Sequence, residues 1–158
     1  MNIFALNVAL AIAWAALTGD ITLPNILIGF ALGSAALFVT RPLYPGCERY
    51  FTRATSWVKL ILAFLWELVE GSIQVVGDVL TPQHRSRPGI IAVPLDTHRE
   101  MSLLVLTNYI SLTPGTLSLD VTEDCRTLYI HAMFADDPDA IRASIKNGVE
   151  MRVKEAME

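Results

Sequence analysis

Two carboxylates in this chain, Glu67 and Glu70, stand in a stretch otherwise dominated by Trp, Leu, Ile, Val and Phe. A carboxylate near hydrocarbon is costly to ionise, so such a group either relays protons or cations or is held by a partner. Three positions apart, the two share one side of a helix, and a solvated or subunit-paired stripe is the stronger reading against an ion path. A second set, His131 with Asp136 and Asp137, has the residue types for acid–base or metal chemistry. His131 falls on an alternating strand pattern, however, which predicts an exposed or interface histidine. Cys47 and Cys125 form no C-x-x-C pair and are read as reduced thiols rather than a disulfide or zinc site. Phosphate-cradling glycine loops and nucleophile motifs are lacking too. Neither an enzyme nor a cofactor is expected.

The elements that carry these residues differ in the solvent they suit. Of 158 residues, 53% are hydrophobic and 18% charged, and the charge is concentrated after Arg41. From Met1 to Thr40 the only ionisable side chain is Asp20. The runs Met1–Gly19 and Ile21–Thr40 each approach the roughly 20 apolar residues that cross about 30 Å of hydrocarbon as a helix. Gly19-Asp20-Ile21-Thr22 leaves room for a tight turn, with Thr22 as helix cap and Pro24 in the first turn. Residues 1–41 are therefore predicted to form a transmembrane helical hairpin. A cleaved secretory leader is the weaker reading of the first run, because a basic leading segment is lacking and a second apolar run follows at once. Ala5, Ala9, Ala13 and Ala16, then Gly29, Gly33 and Ala36, are predicted to give each helix a small-residue packing face, turned either to the other helix of the hairpin or to another subunit.

Arg41, Arg49, Arg53 and Lys59 follow the hairpin, with Arg85, Arg87 and Arg99 beyond. The positive-inside rule puts this side, and with two spans Met1 as well, in the cytoplasm. The net charge of −4 and the scatter of Lys and Arg exclude a phosphate-tracking surface, so no nucleic acid partner is expected. Residues 56–80 are predicted to form an amphipathic helix. At about 100° per residue, Ser56, Lys59, Ala63, Glu67, Glu70, Gly71, Gln74, Gly77 and Asp78 share one stripe. A helix lying in the membrane interface with this stripe toward water fits the charge rule better than a third span, which stays open as the alternative.

After Thr81-Pro82 and the polar linker Gln83–Pro88, residues 89–158 read as a small α/β domain of order βαββα. Gly89–Leu95 is a strand and Arg99–Leu112 a helix. Thr113-Pro114-Gly115-Thr116 has Pro and Gly where a type II turn wants them. Leu117, Leu119 and Val121 alternate with polar residues, and Leu128–Met133 alternates likewise, so Glu123–Arg126 closes a hairpin. Asp136-Asp137-Pro138-Asp139 opens a last helix that runs to about Ala156.

Asn108–Thr116, followed by Leu128-Tyr129-Ile130-His131, resembles the E subunit of the bacterial Mrp-type (Mnh/Sha) multisubunit Na+/H+ antiporter. The likeness takes in the uncharged helix pair with Asn25 and Gly29, the Glu67 helix and Pro88-Gly89-Ile90-Ile91. Ser111 stands where that family usually has Thr. The resemblance implies an accessory and assembly subunit in the bacterial inner membrane, multi-pass, with a cytoplasmic C-terminal domain. Its partners would be the lipid bilayer and the larger membrane subunits that carry the transport. Two other readings compete: a stand-alone membrane-tethered ligand-sensing domain, and a membrane-bound hydrolase built around His131.

Overall fold

The computed structural model describes residues 3–43, 46–82 and 86–157. Met1, and the linker positions 83–85 with Arg85, lie outside the described residues. The chain divides into two compact units, Met1–Thr55 and Ser56–Glu158, and the boundary falls inside a single helix.

In the first unit, helices α1 (Ile3–Thr18) and α2 (Leu23–Val39) pack together through a tight turn. Gly19 takes φ +72°, which ends α1. Thr22 occupies the N-cap position of α2, but its hydroxyl donates to Asp20 instead of accepting from the helix. Turn and caps leave helices of 16 and 17 residues, shorter than the uncharged runs. They reach about 24 and 26 Å, short of the roughly 30 Å of a hydrocarbon core. Of the described helices, only α3 (Cys47–Leu80), with 34 residues, is both long and apolar enough to cross a bilayer.

The packing face of α1 is not the alanine row read from the sequence. Ala5, Ala9, Ala13 and Ala16 are exposed, whereas Ile3, Asn7, Ala11 and Ala15 are buried. Asn7 marks the packed side, because its amide N–H group finds Ser34 and Tyr50 there. On α2 the buried positions are Gly29, Gly33 and Leu37, and Ala36 is exposed. Leu37, Ile3 and Cys47 form the unit's small apolar centre, with Leu6, Tyr50 and Phe51 against it.

In the second unit the remainder of α3 joins β1 (Gly89–Pro94), α4 (Glu100–Leu112), β2 (Thr116–Val121), β3 (Thr127–Ala132), α5 (Pro138–Ser144) and α6 (Met151–Met157). The sheet is antiparallel with order β1-β3-β2. Ile91, Val93, Leu128 and Ile130 fill its inner face and meet Leu106, Tyr109, Val149 and Val153. Leu117 and Leu119 of β2, expected to alternate into a core, are instead exposed, and a register shift between Ser118 and Asp120 interrupts the ladder. The final helix is not continuous α. A π-helical segment, Ile145–Glu150, separates α5 from α6, and the wider turn brings the adjacent residues Val149 and Glu150 both inside.

Residues 56–80 pack as part of this unit rather than as a separate amphipathic element. The stripe expected to face water is partly occupied: Ser56, Gly71 and Asp78 are buried, Ala63 and Glu67 are half-buried, and Lys59, Glu70, Gln74 and Gly77 are exposed. Trp57, Ile61, Leu65, Trp66, Ile73 and Val76 point outward.

Candidate functional site

The Thr113–Thr116 turn meets α3 at a glycine. Gly115 takes φ +88°, and the Thr116 N–H donates to the Thr113 carbonyl at 3.2 Å, the geometry of a type II turn. Both threonines cap the end of α4. The Thr113 hydroxyl donates to Tyr109 O at 2.9 Å, and the Thr116 hydroxyl to Ile110 O at 2.7 Å. From the other side, the Met133 N–H donates to the Gly115 carbonyl at 2.8 Å, tying the turn to the segment after β3. The turn then lies against α3 so closely that a Cβ on Gly71 would stand 2.8 Å from the Pro114 carbonyl oxygen. Gly71 therefore belongs to the stripe because a backbone approaches it there.

One turn before Gly71, Glu67 receives a hydrogen bond from Arg152 of α6 at 3.0 Å, and both side chains are about one-third exposed. Tyr109 is buried beside them and packs edge-on against Phe64 of α3, with ring centroids 5.2 Å apart. Burial, reinforced by the Glu67 carboxylate, pushes the Tyr109 hydroxyl above its ordinary range. Next to this cluster is a cavity of about 220 Å³ lined by Glu67, Gln74, Tyr109, the turn, Phe134 and Ile145. Chemically, the arrangement is a charge pair and a neutral phenol that hold α3, α4 and α6 in register. Glu70 is not drawn into it and is exposed.

A second polar knot lies in the first unit. The Asn7 amide donates to Ser34 Oγ at 2.8 Å and to the Tyr50 hydroxyl at 3.2 Å, linking α1, α2 and the start of α3. A Cβ on Gly29 would stand 2.9 Å from Ala11 O and Trp14 Cβ, and one on Gly33 would collide with the Asn7 side chain. At the hairpin's turn, Asn25 accepts from Trp14 Nε1 at 3.1 Å and donates to Thr18 and the Asp20 carbonyl.

His131 is half-buried between Ile90 and Leu117 in the sheet register. The acids near it in sequence do other work. Asp136 pairs with Arg87 at 3.5 Å, and Asp137 caps α5 by accepting from Asp139 and Ala140. Cys125 occupies the turn after β2 at φ +57°. Among the described residues no group of three or more His, Cys, Asp or Glu side chains is placed to hold a metal ion.

Four residues were not found from the sequence. Asn7 is uncharged within an apolar run, Tyr109 reads as an ordinary core aromatic, and Arg152 lies 85 positions from its partner. Glu150 is buried and accepts the Asp96 and Thr97 N–H groups at 2.6 and 2.8 Å, fixing the chain between β1 and α4.

Comparison with known proteins adds to this geometry. A profile of the family described as Na+/H+ ion antiporter subunit matches residues 7–156. The chain is 33% identical to the E1 subunit of the Na(+)/H(+) antiporter of Staphylococcus haemolyticus, over 97% of its own length and 96% of that protein's. It is 35% identical to the E subunit of the Na(+)/H(+) antiporter of Alkalihalophilus pseudofirmus, with 95% and 94% covered. Among solved structures it is similar to a chain of the Mrp complex from Dietzia sp. DQ12-45-1b, at 27% identity and a TM-score of 0.51, covering 73% of this chain and 99% of that one. A chain of the membrane-bound sulfane sulfur reductase, an archaeal respiratory membrane complex, shares the fold at a TM-score of 0.59 and 24% identity, with 96% of each covered.

Proposed function

The chain belongs to the Na+/H+ ion antiporter subunit family, and on that premise we propose that it is an accessory and assembly subunit of a multisubunit cation/proton antiporter in the cell membrane. The observation that carries the reading is the near full-length match to subunits named for such antiporters. The residues agree with it. The carboxylate best placed for ion movement, Glu67, is paired with Arg152 at a junction of three helices, and the first 40 residues hold only Asp20 as an ionisable group. A relay needs groups that exchange partners, and a fixed ion pair beside a capped turn serves packing instead.

In this proposal the α1–α2 pair sits in the bilayer and the sheet domain is cytoplasmic, on the side favoured by Arg41, Arg49, Arg53 and Lys59. The later part of α3 lies along the interface. Its contacts with the domain run from Leu60 through Phe64, Glu67 and Gly71 to Val75, about 22 Å of helix. Were that stretch to span, the domain packed along it would be carried into hydrocarbon with its charged surface. Lying flat, the helix turns Trp57, Ile61, Leu65, Trp66 and Ile73 to lipid, keeps Glu67 and Gly71 on the domain and leaves Lys59, Glu70 and Gln74 exposed beside it.

Purification of the tagged chain in mild detergent tests the proposal. Several membrane subunits should accompany it, and deleting its gene should abolish cation-dependent proton flux in everted vesicles. Recovery of the chain alone, under conditions that keep membrane complexes intact, would overturn the reading.

A further inference from the structure

Among the described residues, one face of the sheet is left open by the fold. Helix α4, the π segment and α6 pack on the side of Ile91, Val93, Leu128 and Ile130. Residues opposite each other on adjacent strands project to the same side. The register thus sets Ile90, His131 and Leu117 in one row of the other face and Ala92, Tyr129 and Asp120 in the next. Leu119 joins them at the register shift. Ile90 is 69% exposed, Leu117 47%, Leu119 48% and Tyr129 40%, so the centre of this face is apolar and aromatic. A contiguous patch of this kind on a domain surface marks a contact site.

Strand addition is not the use the edges suggest. At β1 the Arg142 Nε–H binds the Ala92 carbonyl at 2.9 Å. At β2 the Ser118 N–H is taken by the Ser111 hydroxyl at 3.2 Å, and the register shift bends the strand. The flat face remains. Its charge narrows the occupant, because Asp120 lies within the rows and exposed Glu123 and Asp124 stand in the adjoining turn against Arg126 alone. A second copy would bring the same acids against one another, and an anionic lipid surface would be repelled.

We infer that the open face of Ile90, Leu117, Leu119, Tyr129 and His131 docks a cytoplasmic segment of another subunit, apolar at its centre and carrying Lys or Arg opposite Asp120. The inference rests on the accessory-subunit reading and says which surface of this chain meets its neighbours. Tyr129 and His131 supply rigid ring surface with polar edges, the chemistry enriched in interface centres.

The test uses the full chain expressed with its partner subunits. A photoreactive benzoylphenylalanine replaces Leu117 or Ile90, and Asn147, exposed in the π segment, serves as the control position. Irradiation of membranes should join positions 117 and 90 to the same other subunit, through a peptide holding apolar residues and a Lys or Arg. Position 147 should give about tenfold less of that adduct. Asp120→Lys should cut the adduct at position 117 about tenfold. Where that variant fails to accumulate, Asp120→Asn should cut it about threefold. Adducts with a second copy, adducts with lipid alone, or no adduct while the tagged chain still brings down other subunits would each overturn the docking surface and leave the accessory role standing. Recovery of the tagged chain alone would overturn the accessory role itself, and the docking surface with it.

Discussion

The two units solve the same packing problem with different chemistry. In the first, Gly29 and Gly33 let α2 meet α1, and the neutral Asn7 amide ties the contact to Ser34 and Tyr50. In the second, Gly71 lets α3 meet the Pro114 turn, and an ion pair, Glu67–Arg152, ties that contact to α6. Both put a glycine at the point of closest approach and a polar knot within one turn of it. The knots differ as the proposed surroundings of the two units would require. On the proposed topology, an amide and two hydroxyls can bond in hydrocarbon without the cost of a charge, while an ion pair about one-third exposed is cheap only where water reaches it.

The comparison breaks most easily at the hairpin. Gly29→Leu with Gly33→Leu places side chains where Ala11 O, Trp14 Cβ and Asn7 already stand, and backbone on one side of the contact cannot yield. Overpacking at both positions should cost about 3 kcal/mol or more together. On a native gel, the double variant should be lost from the assembled complex. Normal incorporation would mean that the two helices do not pack on this face.

The junction of the second unit separates two reasons for needing glycine. Gly71→Val collides with the Pro114 carbonyl, whereas Gly115→Val has room but must hold φ +88°. Each should lower the stability of the purified chain by about 1–3 kcal/mol. Gly77, on the same helix as Gly71, is the contrast, because among the described residues nothing beyond its own stretch of helix lies within 4 Å of the place an added methyl group would take. Gly77→Ala should leave melting unchanged or raise it, by up to about 1 kcal/mol from helix propensity. Equal losses at Gly71 and Gly77 would show that helix flexibility, not the turn, is what Gly71 provides.

These positions also mark how far the sequence could be read. The Thr113–Thr116 turn was legible because its requirement is local: a Pro to set one φ and a Gly to allow the next. Gly29 and Gly33 were legible as a spacing. The face of α1 that meets them is not its alanine row, which stays exposed; Asn7 sets the contact, and periodicity does not register a single amide. Gly71 falls on the polar stripe by its helical angle alone, but its reason lies 43 positions away at Pro114. Leu117 and Leu119 alternate as a buried strand would, and they are exposed because the helices cover only the other face of the sheet.

A smaller effect comes from pH. Tyr109 resists ionisation because burial and the Glu67 carboxylate disfavour a second negative charge. Its folded pKa is raised, so the unfolded chain loses this proton first. The contribution to stability is complete below the ordinary tyrosine value of about 10 and is lost as pH rises above it. Melting of the purified chain should fall more steeply above about pH 10 in the wild type than in Tyr109→Phe, which has no proton to lose. Parallel alkaline limbs would mean that the Tyr109 hydroxyl is solvated.

The smallest effect separates a packing knot from an ion path. Glu67→Gln keeps the shape of the side chain and leaves Arg152 facing a neutral amide, and both positions are about one-third exposed, so water screens what remains. The loss should be about 1 kcal/mol or less, as for pairs of this exposure. Glu70→Gln acts on an exposed carboxylate and should do less still. Deletion of the whole chain removes the hairpin, the α3 face and the open sheet together. Flux in everted vesicles, scaled to complex abundance, should therefore stay near wild type in both single variants and collapse in the deletion. A proton or cation path through Glu67 predicts the opposite pattern, because an amide cannot titrate or carry the charge however well it packs. Normal abundance with abolished flux in Glu67→Gln would make the Glu67–Arg152 pair a transport element and end the parallel with the Asn7 knot.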